Sequence, residues 1–548
     1  MVHRQYLGRG CSRGSGIEIA AALFLAQLCA TVLLGPHVAG GGRYLDDWWL
    51  SAYVRFPHEL GFADGRDYLG FYSGARPGAV LYWLDTYDLF GVHDIWHRAA
   101  STALAAGLAT TFHCLLRQLR LGRIDAAAIA LLTLTLPVAD SIHFWITPAV
   151  GQLGLGACAA GLLFALRALR ATGRAALVLH GFSLGLLALS LSIAETTIPI
   201  IALSLLVYRT RVSWRRAINR WGADLVVAGA GAVHYAVNSP VRLRDDTASV
   251  GLLDRARTIA DQLVTLSTST LAPWAPARGW VLAAVAILLG LVALRVRARR
   301  AAGRDWAQDR RWLVAAGIAA LLTGASYVIY VPADPSYLPL STGVGNRVNI
   351  GALLPLSVLA YALVRLAGGL VAAARPRAVV TLALFALLVV PAAARLHADR
   401  GLWERAAGEQ ELALSALHEA LPAPPAGASL LVFGVPGVVT RFQRIGHARV
   451  NQPVPVFSTW WELDVAVKLS YGRSDLAAYP IWADQPPQLL CGAHDVYQLG
   501  LDGVRHALPY GRVYAVDTAE PRAVRLDGQA QCERVTGDGL TIRYDLPV

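Results

Sequence analysis

Lysine is all but missing from this 548-residue sequence, where Lys468 stands alone among 49 basic residues. The bias fits a GC-rich genome and carries no chemistry. Charge of either sign is also scarce: Asp, Glu, Lys and Arg make up 16% of the chain, against about 25% in soluble domains. No G-x-x-x-x-G-K-[ST] stretch is present, and the basic links are too short for a soluble nucleotide-binding domain. This argues against an ATP-driven machine on this chain. Cysteine is sparse, with six residues and no C-x-x-C or His/Cys metal spacing, so no structural zinc module is encoded. Internal repeats and low-complexity tracts are absent.

What the sequence does have is apolar length. It is 55% hydrophobic with a mean hydropathy of +0.45. A membrane helix needs about 20 apolar residues, and about eleven segments approach this: 17–36, 95–116, 125–144, 147–166, 175–193, 194–208, 222–238, 279–296, 312–331, 348–366 and 378–395. The 194–208 segment is short for a span. Every second link is rich in arginine: Arg117 to Arg123, Arg167 to Arg174, Arg209 to Arg220, Arg295 to Arg311 and Arg365 to Arg377. Positive residues stay on the cytoplasmic side. One orientation, with the basic tail His3 to Arg13 inside, places all five links in the cytoplasm. The net charge of +12 is thus explained without a nucleic-acid partner. The first run could be a cleaved signal peptide ending near Val38-Ala39-Gly40, but its length favours a retained anchor.

The expected outer pieces are loop 37–94, loop 239–278, a short link at 332–347 and everything after 396. The division is a multi-pass transmembrane domain over 1–395 and an extracytoplasmic domain over 396–548. In the latter, 402–421 reads as a helix leaving the membrane. Ser429–Gly434, Arg512–Val516, Ala523–Leu526 and Leu540–Tyr544 read as strands, giving a small α+β domain. Cys491 and Cys532 lie there and can pair in an oxidising compartment; sequence alone does not fix their distance.

Loop 37–94 is the richest in chemistry. It carries Asp46-Asp47-Trp48-Trp49, then Phe71-Tyr72-Ser73-Gly74-Ala75-Arg76-Pro77-Gly78. The carboxylates follow closely on the first span, and tryptophan favours the headgroup level. They either serve a reaction or merely cap a loop helix. Arg347, in Thr342-Gly343-Val344-Gly345-Asn346-Arg347, sits where an outer link enters a span. Arginine is less expected on that side, which favours a functional role over simple snorkelling. Glu195 interrupts an apolar stretch near another outer turn, as a hydroxyl acceptor, an arginine partner or a helix-terminal acid. Asp140, His143 and Trp145 cluster at a third outer turn. His143 is a phosphate or acceptor ligand or, more commonly for such a residue, a structural one. Tyr72 suits stacking on a sugar. Asp334 and Tyr337 precede Arg347. Arg242, Arg244, Asp245 and Asp246 read as a solvated charged loop.

A first helix, an outer loop with an acidic pair, then an Arg-Pro opening an interfacial helix resembles the GT-C superfamily of membrane glycosyltransferases. Here the matching residues are Asp46-Asp47 and Arg76-Pro77. The resemblance implies an all-α polytopic fold with an outward C-terminal domain, and a polyprenyl-phosphate sugar as donor. It implies a glycan, lipid or protein acceptor and a bacterial cytoplasmic membrane as location. One of Asp46 and Asp47 would be general base in an inverting transfer, with Asp46 ranked slightly first. The resemblance also allows a divalent cation, Mg or Mn, at that pair. A transferase of this kind needs one base, because the phosphate leaving group requires positive charge rather than a strong acid. The rival readings are a transporter or flippase of lipid-linked glycans, and a glycan polymerase or ligase. Transporters place their charges near the midplane and often carry inverted repeats, neither of which is seen here.

Overall fold

The computed structural model describes residues 13–238, 251–271, 278–301, 307–331, 337, 339–445, 448–482, 489–499 and 505–537. The expected strand Leu540–Tyr544, the tail before residue 13, Asp334 and the charged group Arg242 to Asp246 lie outside them.

The membrane part is helical. It opens with α1 (Arg13–Gly40), followed within 37–94 by α2 (Asp46–Arg55), α3 (Gly65–Ser73) and α4 (Pro77–Phe90). Next come α5 (Asp94–Gln118), α6 (Arg123–Thr135), α7 (Ser141–Phe144), α8 (Ile146–Ala168) and α9 (Gly173–Ile193). A 3-10 turn at Glu195–Thr197 leads into α10 (Ile198–Ala202), α11 (Ser204–Arg209) and α12 (Trp214–Asn238). The series closes with α13 (Leu252–Leu271), α14 (Arg278–Ala301), α15 (Ala307–Ala325), a 3-10 segment at Val344–Ala352, α16 (Leu353–Gly369) and α17 (Ala374–Ala420).

Among the described residues, eight helices are long and apolar enough to cross a bilayer, and each falls on an expected span. The other three expected segments are helical but broken or charged. In 125–144, α6 stops at Thr135 because Pro137 forces Leu136 into extended backbone. In 194–208, Ala194 is extended and Pro199 restarts the helix, leaving three short pieces. In 222–238, α12 buries the ion pair Arg220–Asp224 at 2.9 Å, and Ser204 and Tyr208 both donate to the same carboxylate. The large side chains left exposed on the spanning helices are apolar, among them Phe24, Val178, Ile287 and Leu382. Faces of that kind belong against lipid. The protein is a multi-pass membrane protein.

The helix α17 has 47 residues, about 70 Å at 1.5 Å per residue. That is more than twice a hydrocarbon core of about 30 Å, and it runs unbroken through residue 395. Its far half enters the C-terminal domain, where Ala413 and Leu417 pack with Leu430 and Leu463.

That domain has a sheet of β1 (Ser429–Phe433), β4 (Ala477–Ile481), β8 (Val513–Asp517) and β9 (Arg522–Leu526) in the order β4-β1-β8-β9. The strand β1 is parallel to both β4 and β8, and β9 is antiparallel to β8. A hairpin of β2 (Val438–Ile445) and β3 (Ala448–Pro455) and a small sheet of β5 (Leu489–Cys491), β6 (Asp495–Leu499) and β7 (Arg505–Pro509) flank it. The helix α18 (Trp460–Tyr471) links β3 to β4. Cys491 is disulfide-bonded to Cys532 of α19 (Gln529–Gly537), with a Cα–Cα distance of 5.8 Å. The fold is thus an all-α membrane body carrying a small α+β domain.

Candidate functional site

Loop 37–94 is fastened at Tyr44, which is fully buried. Its hydroxyl donates to the Trp403 carbonyl of α17 at 2.6 Å, and the two rings meet edge-on at 4.7 Å. Leu45 then takes φ 44° and ψ −116°, a conformation rarely adopted by a branched side chain. What holds it is the C-terminal domain: the Leu45 N–H donates to Glu462 Oε1 at 3.0 Å. The other oxygen of Glu462 accepts from Ser458 Oγ and from Thr459 N in the capping box of α18.

This turn gives the two adjacent carboxylates different surroundings. Asp47 is 1% exposed. It accepts from Thr147 N at 2.8 Å, Thr147 Oγ1 at 2.5 Å and Tyr44 N at 3.1 Å. It therefore caps the N-terminus of α8, where helix N–H groups lack partners, and ties down the turn before its own helix. Burial pushes its pKa up to about 7 in spite of those hydrogen bonds. Asp46, one residue earlier and half-buried, instead lines a cavity of about 300 Å³, at the small end of the ligand-pocket range of roughly 300–1,000 Å³. Trp48 and Trp49 pack against Phe457 and Trp461 of the C-terminal domain, at 6.1 and 5.3 Å between ring centres.

Four separate stretches meet at this cavity: Asp46, Arg76, Glu195 and Arg347 all line it. Arg76 precedes Pro77 at the start of α4, where proline suits the first helical turn. Its guanidinium grips Glu195 with two bonds, Nε to Oε2 at 2.9 Å and Nη2 to Oε1 at 2.7 Å. Glu195 holds the Arg76 pKa well above the usual arginine value. The pairing needs α4 to lie close to α9, and Gly78 permits it: a Cβ there would sit 2.8 Å from Ile193 Cγ1.

Arg347 arrives from the opposite wall. Gly343, at φ 75°, starts the 3-10 segment, a backbone angle suited to glycine. Asn346, fully buried, locks that segment to its neighbours: Ser141 N donates to its Oδ1 at 3.1 Å, and its Nδ2 donates to Ser341 O at 3.0 Å. The Arg347 guanidinium lies between the rings of Trp145 and Tyr337, 5.2 Å from each centre. Among the described residues it has no ion-pair or hydrogen-bond partner, so its charge is offered to the cavity.

Other expected residues are placed elsewhere. His143 is buried in α7 and does not line the cavity. Tyr72 lies in α3, but its side chain is outside the described residues. Tyr330, Trp83 and Thr147 line the cavity without having been singled out by the sequence. The anchors Tyr44, Asn346 and Glu462 likewise gave no sequence signal, since their roles depend on partners far along the chain.

The donor set does not suit a divalent cation at the acidic pair. The oxygens of Asp47 already accept three hydrogen bonds, those of Glu195 are held by Arg76, and no group of three His, Cys, Asp or Glu gathers among the described residues.

No protein-family model and no curated protein matches the sequence. Solved structures to which the chain is similar include the following two. One is the archaeal oligosaccharyltransferase AglB from Archaeoglobus fulgidus, in complex with an inhibitory peptide and a dolichol-phosphate. The likeness has a TM-score of 0.42 and 10% identity over 86% of this chain, and this chain spans 65% of that one, less than two thirds of its length. The other is ArnT from Cupriavidus metallidurans bound to undecaprenyl phosphate, with a TM-score of 0.41 and 15% identity, covering 86% of this chain and 87% of that one.

Proposed function

We propose that the protein is a membrane glycosyltransferase that moves a sugar from a polyprenyl-phosphate donor to an acceptor hydroxyl on the outer face of a bacterial cytoplasmic membrane. The observation that carries this reading is the convergence of one half-buried carboxylate, Asp46, and one uncompensated guanidinium, Arg347, on a single small cavity.

The chemistry follows from those two groups. The acceptor O–H gives its proton to Asp46, and its oxygen attacks the anomeric carbon from the face opposite the phosphate. A C–O glycosidic bond forms as the bond from the anomeric carbon to the phosphate oxygen breaks. The electron pair leaves on the polyprenyl phosphate, and configuration inverts. Arg347 steadies the charge that gathers there, its planar fork matching phosphate oxygens. Aromatic rings on both sides keep the guanidinium in place without neutralising it. Arg76 is already charge-matched by Glu195, so it shapes the wall and orients Glu195 toward sugar hydroxyls. Asp47 is a positioning residue: by capping α8 it turns Asp46 toward the cavity. No step is routed through a metal.

The outward placement rests on the arginine-rich links at the other ends of the spans and on the disulfide Cys491–Cys532, a bond typical of oxidising compartments. The test is to supply the purified protein with a panel of labelled polyprenyl-phosphate sugars and acceptor extracts. Transfer should occur with one donor and disappear in Asp46→Asn while the protein still folds and inserts. If Asp46→Asn transfers as fast as wild type, Asp46 is not the base. If no donor is turned over but lipid-linked glycan crosses proteoliposomes, the flippase reading replaces this one.

A further inference from the structure

A second cavity, of about 980 Å³, lies deeper in the membrane body. It follows α15 from Ala307 to Leu322, about 22 Å of helix at 1.5 Å per residue. Along that length its walls are apolar, with Phe112, Leu162, Ile200 and Ile318 among them. Its upper end, at Leu354 and Pro355, lies just past the 3-10 segment that carries Arg347. Its lower end is closed by arginines at the opposite ends of the helices: Arg120 after α5, Arg211 after α11 and Arg311 in the first turns of α15, with Arg209 and Arg310 beside them.

The acids at this end of α1, α6 and α15 are engaged elsewhere. Glu18 is paired with Arg117 and Arg123, Asp125 with Arg365, and Asp309 with Arg295 and Arg299. Among the described residues, Arg120, Arg211 and Arg311 form no ion pair with any carboxylate. They are nevertheless held together, since Arg311 Nη2 donates to the Arg120 carbonyl at 2.7 Å. The Nε of Arg211 is buried without a hydrogen-bond partner. Burial, with repulsion from Arg120, Arg170 and Arg311, pulls its pKa down to about 10. Arginines that serve only to orient the chain would spread into water, where repulsion is screened. Here three converge on the mouth of an apolar slot. Guanidinium groups with no acid between them form a phosphate site, and a slot of this depth fits the chains of one bilayer leaflet, about 15 Å of a 30 Å core.

We propose that this cavity holds an anionic phospholipid, with its phosphate on Arg120, Arg211 and Arg311 and its acyl chains in the slot along α15. The site is separate from the sugar-transfer cavity and does not depend on that function being correct. Charge complementarity selects an anionic headgroup over a zwitterionic one.

Native mass spectrometry of the full chain in detergent tests this, with phosphatidylglycerol, phosphatidylethanolamine, inorganic phosphate and polyprenyl phosphate as probes. Wild type should retain one phosphatidylglycerol in preference to phosphatidylethanolamine. Arg211→Gln with Arg311→Gln should weaken phosphatidylglycerol about 25-fold, from about 5-fold per basic residue at an anionic lipid surface. The same change should leave phosphatidylethanolamine unaffected. The lysine pair, Arg211→Lys with Arg311→Lys, should keep most of the binding, and this separates charge from misfolding. Ala319→Trp, which fills the slot, should expel phosphatidylglycerol while inorganic phosphate still binds. Equal retention of both phospholipids, or no loss in the glutamine pair, overturns the proposal. Inorganic phosphate binding as tightly as phosphatidylglycerol also overturns it, in favour of a free-anion site. One-for-one displacement by polyprenyl phosphate does so too, by assigning the slot to the donor's tail.

Discussion

Replacing Asp47 by alanine should unfold the protein more readily than replacing its neighbour Asp46, although only Asp46 faces the cavity. The difference can be worked from the hydrogen bonds. Asp47 satisfies the N–H of Thr147 at 2.8 Å, the Thr147 hydroxyl at 2.5 Å and the N–H of Tyr44 at 3.1 Å. The hydroxyl can turn to another acceptor, but the two backbone N–H groups cannot. Each buried donor left without a partner costs about 1–3 kcal/mol, so the loss is on the order of 2–6 kcal/mol. Relief from burying a carboxylate whose pKa has risen to about 7 offsets part of that, leaving about 2–4 kcal/mol. Asp47→Asn keeps one carbonyl oxygen in place and should lose less than half as much. Asp46→Ala should change stability by less than about 1 kcal/mol while lowering turnover by roughly 10²–10⁴, the usual contribution of a general base. Thermal unfolding of the purified variants in one detergent gives the first quantity, and transfer of labelled sugar gives the second. Asp47→Ala unfolding at the wild-type temperature, or Asp46→Ala falling as far as Asp47→Ala, refutes the division of labour.

Three further outcomes are expected. Arg347→Gln should weaken the response to donor phosphate, raising KM or lowering kcat by about 10–100-fold, from the roughly 1.5–3 kcal/mol of a hydrogen bond to a charged group; Arg347→Lys should recover only part, and unchanged kinetics in Arg347→Gln would remove arginine from the site. Glu462 rises from 4.5 to about 7 and Asp47 from 3.8 to about 7 on burial, so the folded chain binds more protons than the unfolded chain between about pH 4 and 7. The stability these groups supply is full below about pH 4 and is lost as pH rises through 7; Glu462→Gln should flatten that slope in melting curves taken across the window, and parallel curves would sink the assignment. Breaking the Cys491–Cys532 bond, which closes a loop of 41 residues, should destabilise the C-terminal domain by about 4 kcal/mol from loop entropy, read as a lower melting temperature of the Cys491→Ser, Cys532→Ser chain; no change would show the domain is held by packing alone.

The spans were legible because lipid leaves the sequence little choice: charge must gather at helix ends, and the arginine links mark one set of them. Where helices break, the signal was local too, in Pro137 and Pro199. The C-terminal strands were less legible. β1, β8 and β9 have short apolar runs, but β2 and β3 mix Arg441, Arg444, Gln443 and Pro453 into a hairpin whose pairing comes from register rather than from alternation. Within the loop, the acidic pair and Arg76 could be named, yet nothing local distinguishes Asp46 from Asp47. Neighbours on a helix point about 100° apart, and which one faces inward depends on Thr147, a hundred positions downstream. The bidentate grip of Arg76 on Glu195 spans 119 residues and leaves no periodic trace.

The bond from Leu45 to Glu462 joins positions 417 apart, and this has a bearing on biosynthesis. A ribosome finishes and inserts nearly every helix before the glutamate that steadies Leu45 has been translated. Until that late moment the bend ahead of Asp46 lacks the bond that holds Leu45, and only the contacts of Tyr44 with Trp403 and of Asp47 with Thr147 restrain it. Shortened products that stop before α18 should then lose turnover even when fully inserted.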